Sequence, residues 1–127
     1  MAITGMLQPS GFLIVVFIVI YFTFKPKKTY NNPYDEGLKY IGVKEYKKAI
    51  PRLSKAIKND PDNIDAYYYR SRAYCALEKI GKASSDAETM IEEFPDSNLG
   101  YIALSKIQKQ LGNLEQSKQD LALAIKI

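Results

Sequence analysis

The pattern of hydrophobic and polar positions divides the chain near residue 25. From Ala2 to Phe24 no side chain carries a charge, and the stretch from Gly11 to Phe24 is apolar on every side of a helical wheel. After Lys25, apolar residues return every three or four positions among charged ones, as in amphipathic helices. The pattern predicts an all-α chain that starts with one uniformly apolar helix.

The apolar stretch predicts an N-terminal tail and a single transmembrane helix within residues 1–24. Pro9 favours a helix start and Pro26 a helix stop. Residues 9–24 would span about 24 Å, which is short of the roughly 30 Å of a bilayer's hydrocarbon. A signal peptide is disfavoured because no basic residue precedes the stretch. A buried core helix is disfavoured because such a helix usually keeps one polar face.

Three lysines follow in the basic linker predicted at residues 25–29, namely Lys25, Lys27 and Lys28. By the positive-inside rule they predict a single-pass membrane protein whose remaining chain lies on the cytoplasmic, stromal or matrix side. They would lie at the level of anionic headgroups, so contact with membrane lipid through residues 9–24 is expected.

The rest of the chain repeats itself with a period of about 34 residues. A fixed period of this length predicts stacked supersecondary units. The recurring pairs are Tyr40 and Tyr74, Ala49 and Ala83, Pro61 and Pro95, and Tyr67 and Tyr101. These residue types at this spacing resemble the tetratricopeptide repeat (TPR) family.

The resemblance implies three repeats, at residues 30–63, 64–97 and 98–127, with the third one truncated and lacking a capping helix. It implies an α-solenoid of antiparallel helix pairs, each of which contacts mainly its neighbours. The expected helices lie near residues 33–43, 46–58, 64–77, 81–93, 98–110 and 115–126.

The run of Tyr67, Tyr68 and Tyr69 cannot direct three side chains at one core, because each residue turns a helix by about 100°. With Tyr67 at the origin of the wheel, Tyr74 falls at about 340° on the same packing face, while Tyr68 falls at about 100°. Tyr69 falls at about 200° and is left open between the edge of a groove and the contact between repeats.

The TPR resemblance also implies a binding groove lined by the first helix of each pair. At the groove positions this chain is aromatic and aliphatic at one end and basic at the other, which is typical of interfaces. The predicted groove residues are Tyr34, Leu38, Ile41, Tyr68, Arg72, Ile102, Lys106 and Lys109. The alternative is that these are ordinary exposed residues of a short solenoid. Cys75, beside them, is interpreted as a small filler rather than a reactive thiol.

Some TPR proteins grip a chaperone's C-terminal carboxylate, using a lysine and an asparagine in the first repeat. Those positions hold Tyr34 and Leu38 here, so the sequence predicts no chaperone carboxylate clamp.

The last predicted helix ends in the apolar segment "LALAIKI", and no polar helix follows to cover it. Leu121 and Ala124 are expected to face the first helix of the same repeat. Leu123, Ile125 and Ile127 then form a C-terminal docking surface for a partner chain, a second copy or the membrane.

Catalytic and metal chemistry have no support in the sequence. Histidine is absent, Cys75 is the one cysteine, and no nucleophile, zinc or phosphate-loop motif occurs. The net charge of +4 is too small to predict nucleic-acid binding without a matching motif. The sequence therefore predicts no enzyme, no catalytic residue, no metal and no cofactor.

Two functions follow from the combination of an anchor with repeats. The main hypothesis is a non-catalytic, membrane-anchored TPR subunit, scaffold or assembly factor of a photosynthetic, respiratory or envelope complex, with integral membrane subunits as partners. The alternative is a receptor that transiently binds targeting peptides or helices, as in organelle protein import.

Overall fold

The computed structural model describes residues 9–24 and 32–127. The chain divides into two compact units, residues 1–30 and residues 31–127. The helices within the described ranges are α1 (Pro9–Phe24), α2 (Pro33–Gly42), α3 (Tyr46–Asn59), α4 (Ile64–Ala76), α5 (Ile80–Glu93), α6 (Leu99–Gln110) and α7 (Leu114–Lys126). The ends of α2 to α7 lie within one residue of the predicted ends, so the predicted all-α series of helix pairs is confirmed.

Helix α1 stands in the first unit. It has 16 residues, and Phe12, Phe17 and Phe24 are each at least 70% exposed. Across the described parts of the chain, no helix combines the length and the apolarity that crossing a membrane requires. The transmembrane helix predicted from the sequence is therefore not supported. The flanking lysines Lys25, Lys27 and Lys28 lie outside the described residues.

The six helices of the second unit form three antiparallel pairs, α2–α3, α4–α5 and α6–α7, and consecutive pairs pack against each other. Asparagine side chains begin two of the first helices. The Asn32 side chain accepts a hydrogen bond from the Tyr34 amide, and Asn63 accepts one from the Ala66 amide, both at 3.1 Å. Pro33 follows Asn32 at the first helical position, where its missing N–H costs nothing.

The turn inside each pair has the same backbone shape in all three repeats. Lys44, Glu78 and Gly112 stand at the same position of successive repeats, with φ of 60°, 59° and 82°. A positive φ strains any residue that carries a Cβ atom, and only the third repeat avoids that strain with glycine. The stacking of the pairs thus imposes the turn even where the local sequence does not favour it.

Small side chains let the helices of this unit approach closely. A methyl group on Gly37 would come 2.6 Å from Leu53 in the same repeat, and one on Gly100 would come 2.6 Å from Ile91 in the repeat before. Five alanines are fully buried: Ala49, Ala66, Ala73, Ala83 and Ala87. Every residue described as buried lies between Gly37 and Ala124, so the repeat unit carries its own core.

Candidate functional site

Two cations converge on one tyrosine at the junction of α4 and α6. The Lys106 ammonium lies 5.1 Å from the centroid of the Tyr68 ring and donates a hydrogen bond to the Tyr68 hydroxyl. The Arg72 guanidinium lies 5.9 Å from the same centroid. Lys106 is held through the Tyr68 hydroxyl, and the Arg72 guanidinium lies within cation–π range of the Tyr68 ring, so Tyr68 holds both groups near one another.

A surface groove of about 220 Å³ opens beside this cluster. We call it the tyrosine–cation groove, and it comprises the cluster and the residues that line the cavity. The lining residues are Ser71, Arg72, Cys75, Ala76, Ala103, Lys106 and Gln110. The Gln110 side-chain amide donates to the Cys75 carbonyl at 2.9 Å and ties α6 to α4. The groove thus has a floor of small side chains and a basic rim.

The basic rim has no acidic counterpart within the described protein. Over residues 9–24 and 32–127, the four ion pairs join Lys48 to Glu45, Arg52 to Glu36, Arg70 to Asp86, and Lys118 to Glu115. None of them includes Arg72 or Lys106. Both residues are exposed, so their charge is available to an anionic ligand.

Aromatic contacts extend the groove toward the first repeat. Tyr69 meets Tyr68 edge-on at 5.5 Å between ring centroids, and Tyr34 at 6.4 Å. Arg72 also lies 5.5 Å from the centre of the Tyr69 ring. Burial raises the pKa of Tyr34, and the nearby carboxylate of Asp65 raises it further, so the hydroxyl stays neutral. The three tyrosines form a stripe that links α2 to α4.

The neighbouring tyrosines have different roles. Tyr67 packs against Phe94 at 6.1 Å between centroids, on the core side of α4. Tyr74 is also half-buried against the core, and its ring lies 5.9 Å from the Arg70 guanidinium. Tyr69 contacts Tyr34 in the preceding repeat, so it lies between repeats and borders the groove. The helical wheel alone does not decide between these two positions.

The other predicted groove residues stand apart from this cavity. Leu38 and Ile41 on α2 and Ile102 on α6 are half-buried, and Lys109 on α6 is exposed. None of the four lines the tyrosine–cation groove, and their contact with a partner stays a prediction. Gln110, which the sequence analysis did not single out, follows Lys109 directly. Only the contact between α4 and α6 shows that its side chain reaches Cys75.

Cys75 occupies the groove as a half-buried side chain. Burial raises the pKa of its thiol, which disfavours the reactive thiolate. Within the described part of the chain, no group of three or more potential ligands could hold a metal ion. The chemistry available to the groove is therefore stacking, hydrogen bonding and charge pairing.

The C-terminal helix leaves a second set of side chains in solvent. Leu123, Ile125 and Ile127 are 42%, 79% and 50% exposed. Ala124 is buried as expected, but Leu121, expected to face α6, keeps 46% exposure. The preceding residue instead buries its side chain, the carboxylate of Asp120.

Comparison with known proteins gives one family. A family model for the tetratricopeptide repeat matches residues 53–83. The Protein STIP1 homolog of Dictyostelium discoideum is 31% identical over 93 residues, which are 73% of this chain but only 16% of that protein. The structure of the first TPR of Spaghetti (RPAP3) bound to HSP90 peptide SRMEEVD is similar at a TM-score of 0.66 and 26% identity, covering 74% of this chain and 75% of that one. The Sgt2 TPR domain from Aspergillus fumigatus gives a TM-score of 0.68 at 25% identity, with 80% and 67% covered.

These relatives correct the predicted partners. The exclusion of a chaperone carboxylate clamp is wrong, because one of the similar TPR domains is bound to an HSP90 peptide. The sequence excluded a clamp because the first repeat has Tyr34 and Leu38 at the expected positions. The cations available to a carboxylate are instead Arg72 in the second repeat and Lys106 in the third. The expectation of integral membrane subunits as partners gives way to that of a peptide ligand, because the similar TPR domain of Spaghetti (RPAP3) is bound to an HSP90 peptide. The family model, the relative and the two similar structures together support the assignment of this chain to the tetratricopeptide repeat family.

Proposed function

We propose that this chain is a non-catalytic interaction protein that binds a short acidic peptide of another protein in the tyrosine–cation groove. The observation that supports this proposal is a pair of exposed cations, Arg72 and Lys106. Both contact Tyr68, and neither forms an ion pair with an acidic residue among the described residues. Charge-assisted hydrogen bonds from such groups to a carboxylate are about twice as strong as neutral ones.

The size of the groove fits one side chain rather than a folded partner. Its roughly 220 Å³ lies below the about 300–1,000 Å³ of typical small-molecule pockets. An aspartate or glutamate side chain, or a terminal carboxylate, would enter between Arg72 and Lys106. The flanking peptide would then lie along Tyr68, Tyr69 and Tyr34, whose rings offer apolar contact at little conformational cost.

A chaperone tail is the first ligand of this class to test. The peptide SRMEEVD, bound by a TPR domain similar to this chain, contains two glutamates and one aspartate. Its acidic side chains suit the basic rim, whereas a basic targeting peptide would meet repulsion there. We therefore propose transient peptide binding rather than a permanent place in a complex.

The test is a titration of fluorescently labelled SRMEEVD with residues 29–127, which contain all of the described core. Replacing both Arg72 and Lys106 with glutamate should weaken binding by about tenfold to a hundredfold, as the loss of charged hydrogen bonds predicts. Lys55→Glu with Lys58→Glu on α3 is the matched control, because it makes the same charge change at two exposed positions. Equal weakening by the control, or no weakening by the groove variant, would contradict the proposal.

The location of the chain is a separate proposal. The side chains of α1 are apolar and mostly exposed all around the helix, so they require apolar surroundings. We propose that a membrane provides these surroundings and holds the chain there. In a flotation assay with liposomes, the full chain should rise with the vesicles and residues 29–127 should stay in the dense fraction. If the full chain also stays in the dense fraction, the membrane is not the cover of α1.

A further inference from the structure

The turns inside the first two helix pairs carry a cluster of lysines. These turns and the first residues of the helices that follow them lie at residues 43–48 and 77–82, and we call this surface the lysine edge. Two glutamates within it, Glu45 and Glu78, reduce its net charge to +3. All five lysines of the edge are exposed: Lys44, Lys47, Lys48, Lys79 and Lys82.

Most of this positive charge is not neutralised inside the protein. Of the four ion pairs in the described part of the chain, only the one between Lys48 and Glu45 lies on the lysine edge. The other four lysines of the edge form no ion pair with any described residue. Their charge is therefore available to an anionic surface outside the protein.

A cavity of about 340 Å³ connects the two turns. Its wall combines lysines with apolar and aromatic groups: Lys44, Glu45, Tyr46, Lys47, Lys48 and Leu77. Val43 directly precedes this set and is 65% exposed. The lysine edge thus presents an exposed aliphatic side chain beside unpaired ammonium groups.

The turns between the helix pairs have the opposite charge. Because consecutive helices are antiparallel, these turns lie at the other ends of the helices. Residues 58–65 and 92–98 contain one lysine, Lys58, and six exposed acids: Asp60, Asp62, Asp65, Glu92, Glu93 and Asp96. An anionic surface would attract the lysine edge and repel this one, so it would orient the repeat unit.

The composition of the lysine edge favours a lipid surface over a nucleic acid. Proteins that bind nucleic acid commonly use arginine and exposed aromatic rings on which bases stack. The lysine edge contains no arginine, and its one aromatic side chain, Tyr46, is half-buried. Lysine ammonium groups pair with lipid phosphates as point charges, and an aliphatic side chain such as Val43 enters the apolar part of the interface.

The covalent chain keeps the repeats within reach of a membrane that holds α1. Eight residue steps separate Phe24 from Asn32, and a chain of that length reaches at most about 29 Å. Such a tether raises the effective concentration of the repeats at the bilayer, so a weak surface contact is sufficient. The preference for lipid rests in part on the location proposed for α1, whereas the charge of the lysine edge does not depend on it.

We propose that the lysine edge docks on a bilayer surface that contains anionic lipid. The lysines pair with headgroup phosphates, and Val43 enters the interface between headgroups and acyl chains. None of the residues of this edge lines the tyrosine–cation groove, so the docking is a separate activity from peptide binding.

The test is flotation of residues 29–127 with vesicles of phosphatidylcholine alone or with one third phosphatidylserine. This fragment lacks α1 and the lysines that follow it, so only the repeat unit can bind. It should rise with the anionic vesicles at low salt and be released at high salt, because salt screens exposed charges. It should stay in the dense fraction with the neutral vesicles, which are therefore the vesicles for the test of α1.

Lys44→Glu with Lys47→Glu should weaken binding to the anionic vesicles at least tenfold, because each lysine near an anionic bilayer contributes to the attraction. Glutamate suits both positions, since Glu78 and Glu115 stand there in the second and third repeats. The double variant should therefore fold, and circular dichroism checks this.

The matched control is Lys55→Glu with Lys58→Glu, which makes the same charge change at exposed positions outside the lysine edge. It should bind the anionic vesicles nearly as well as the unchanged protein. Because the chain has no tryptophan, Val43→Trp gives a fluorescence signal from the edge alone. Its emission should shift to the blue with anionic vesicles, whereas that of Asn59→Trp, at the opposite ends of the helices, should not.

Three results in the flotation assay would overturn the proposal: no binding to anionic vesicles, equal binding to neutral ones, or equal weakening by the control. Binding to heparin as tight as binding to vesicles, with no blue shift of Val43→Trp, would make an anionic macromolecule the partner instead of a lipid surface. The variant with Lys44→Glu and Lys47→Glu should still bind SRMEEVD, and loss of both activities together would contradict two separate surfaces.

Discussion

Gly100 shows how a single missing methyl group sets the distance between two repeats. An added Cβ would lie 2.6 Å from Ile91 Cγ1 and 3.0 Å from both the Ala87 carbonyl oxygen and the Ile91 amide nitrogen. Two of these three neighbours are backbone atoms, which cannot turn away as a side chain can. The close crossing of α5 and α6, which brings Lys106 near Tyr68, thus depends on this glycine.

Gly100→Ala should therefore lower the free energy of unfolding by roughly 1–3 kcal/mol, as other overpacking changes do. Gly81→Ala, on α5 with no neighbouring atom within 4 Å, should be neutral or should stabilise by up to about 1 kcal/mol. Urea denaturation of both variants measures the difference. Equal effects at the two glycines would show that the crossing is not tight at Gly100.

The burial of Cys75 predicts how the reactivity of its thiol depends on pH. Because burial raises the pKa of its thiol, the thiolate fraction at pH 8 is below that of a free cysteine. Iodoacetamide should alkylate Cys75 more slowly than it alkylates glutathione at pH 8, and the rate should keep rising to a higher pH than for the free thiol. Mass spectrometry of timed samples measures the rate, and alkylation faster than glutathione would contradict the burial.

Two equivalent positions, one on each helix of a pair, form an ion pair in the first two repeats. The residues at these positions differ from repeat to repeat. Glu36 of α2 pairs with Arg52 of α3 at 2.9 Å, and at the same repeat positions Arg70 of α4 pairs with Asp86 of α5 at 2.6 Å. In the third repeat these positions hold Leu104 and Asp120. The buried Asp120 Oδ2 accordingly has no hydrogen-bond partner among the described residues, and Gln116 donates only to the other oxygen.

Of these two ion pairs, the one between Arg70 and Asp86 should contribute more to the stability of the protein. Asp86 is 6% exposed, and Arg70 donates to both of its oxygens and to the Ser54 hydroxyl. Arg70→Leu would leave a buried carboxylate unpaired and should lower the free energy of unfolding by roughly 3 kcal/mol. Arg52→Leu breaks a more exposed pair and should cost under about 1 kcal/mol. Thermal and urea denaturation compare the two, and similar losses would refute the role assigned to burial.

The repeat unit as a whole should be most stable in its middle. Helices α4 and α5 have neighbours on both sides, whereas the outer faces of α2 and α7 have none within the described residues. In a solenoid each repeat depends on its nearest neighbours, so opening begins at the ends. Hydrogen exchange should be slowest in α4 and α5 and fastest in α7, and uniform protection would contradict this picture.

The sequence by itself determined the repeated helices. A regular period, asparagine caps and small residues at the crossings act locally or between adjacent helices, so helix ends were predicted to within one residue. The helical wheel predicted packing for Tyr67 and Tyr74 and an outward position for Tyr68, but all three side chains are half-buried against the same core. It did not determine the role of the apolar segment: the helix has the bounds that the prolines predict, and its 16 residues fall short of the length that crossing a membrane requires.

Only the tertiary structure decided which side chains meet. Lys106 stands 38 residues after Tyr68, and Gln110 stands 35 after Cys75, so neither contact is visible in any local pattern. They depend on how closely α6 crosses its neighbours, which Gly100 and Ala87 set through steric contact. The exposure of Leu121 likewise follows from the absence of a described helix over α7, although its sequence matches the covered α3. The identity of a repeat is local, but a groove and an open end are properties of the stack.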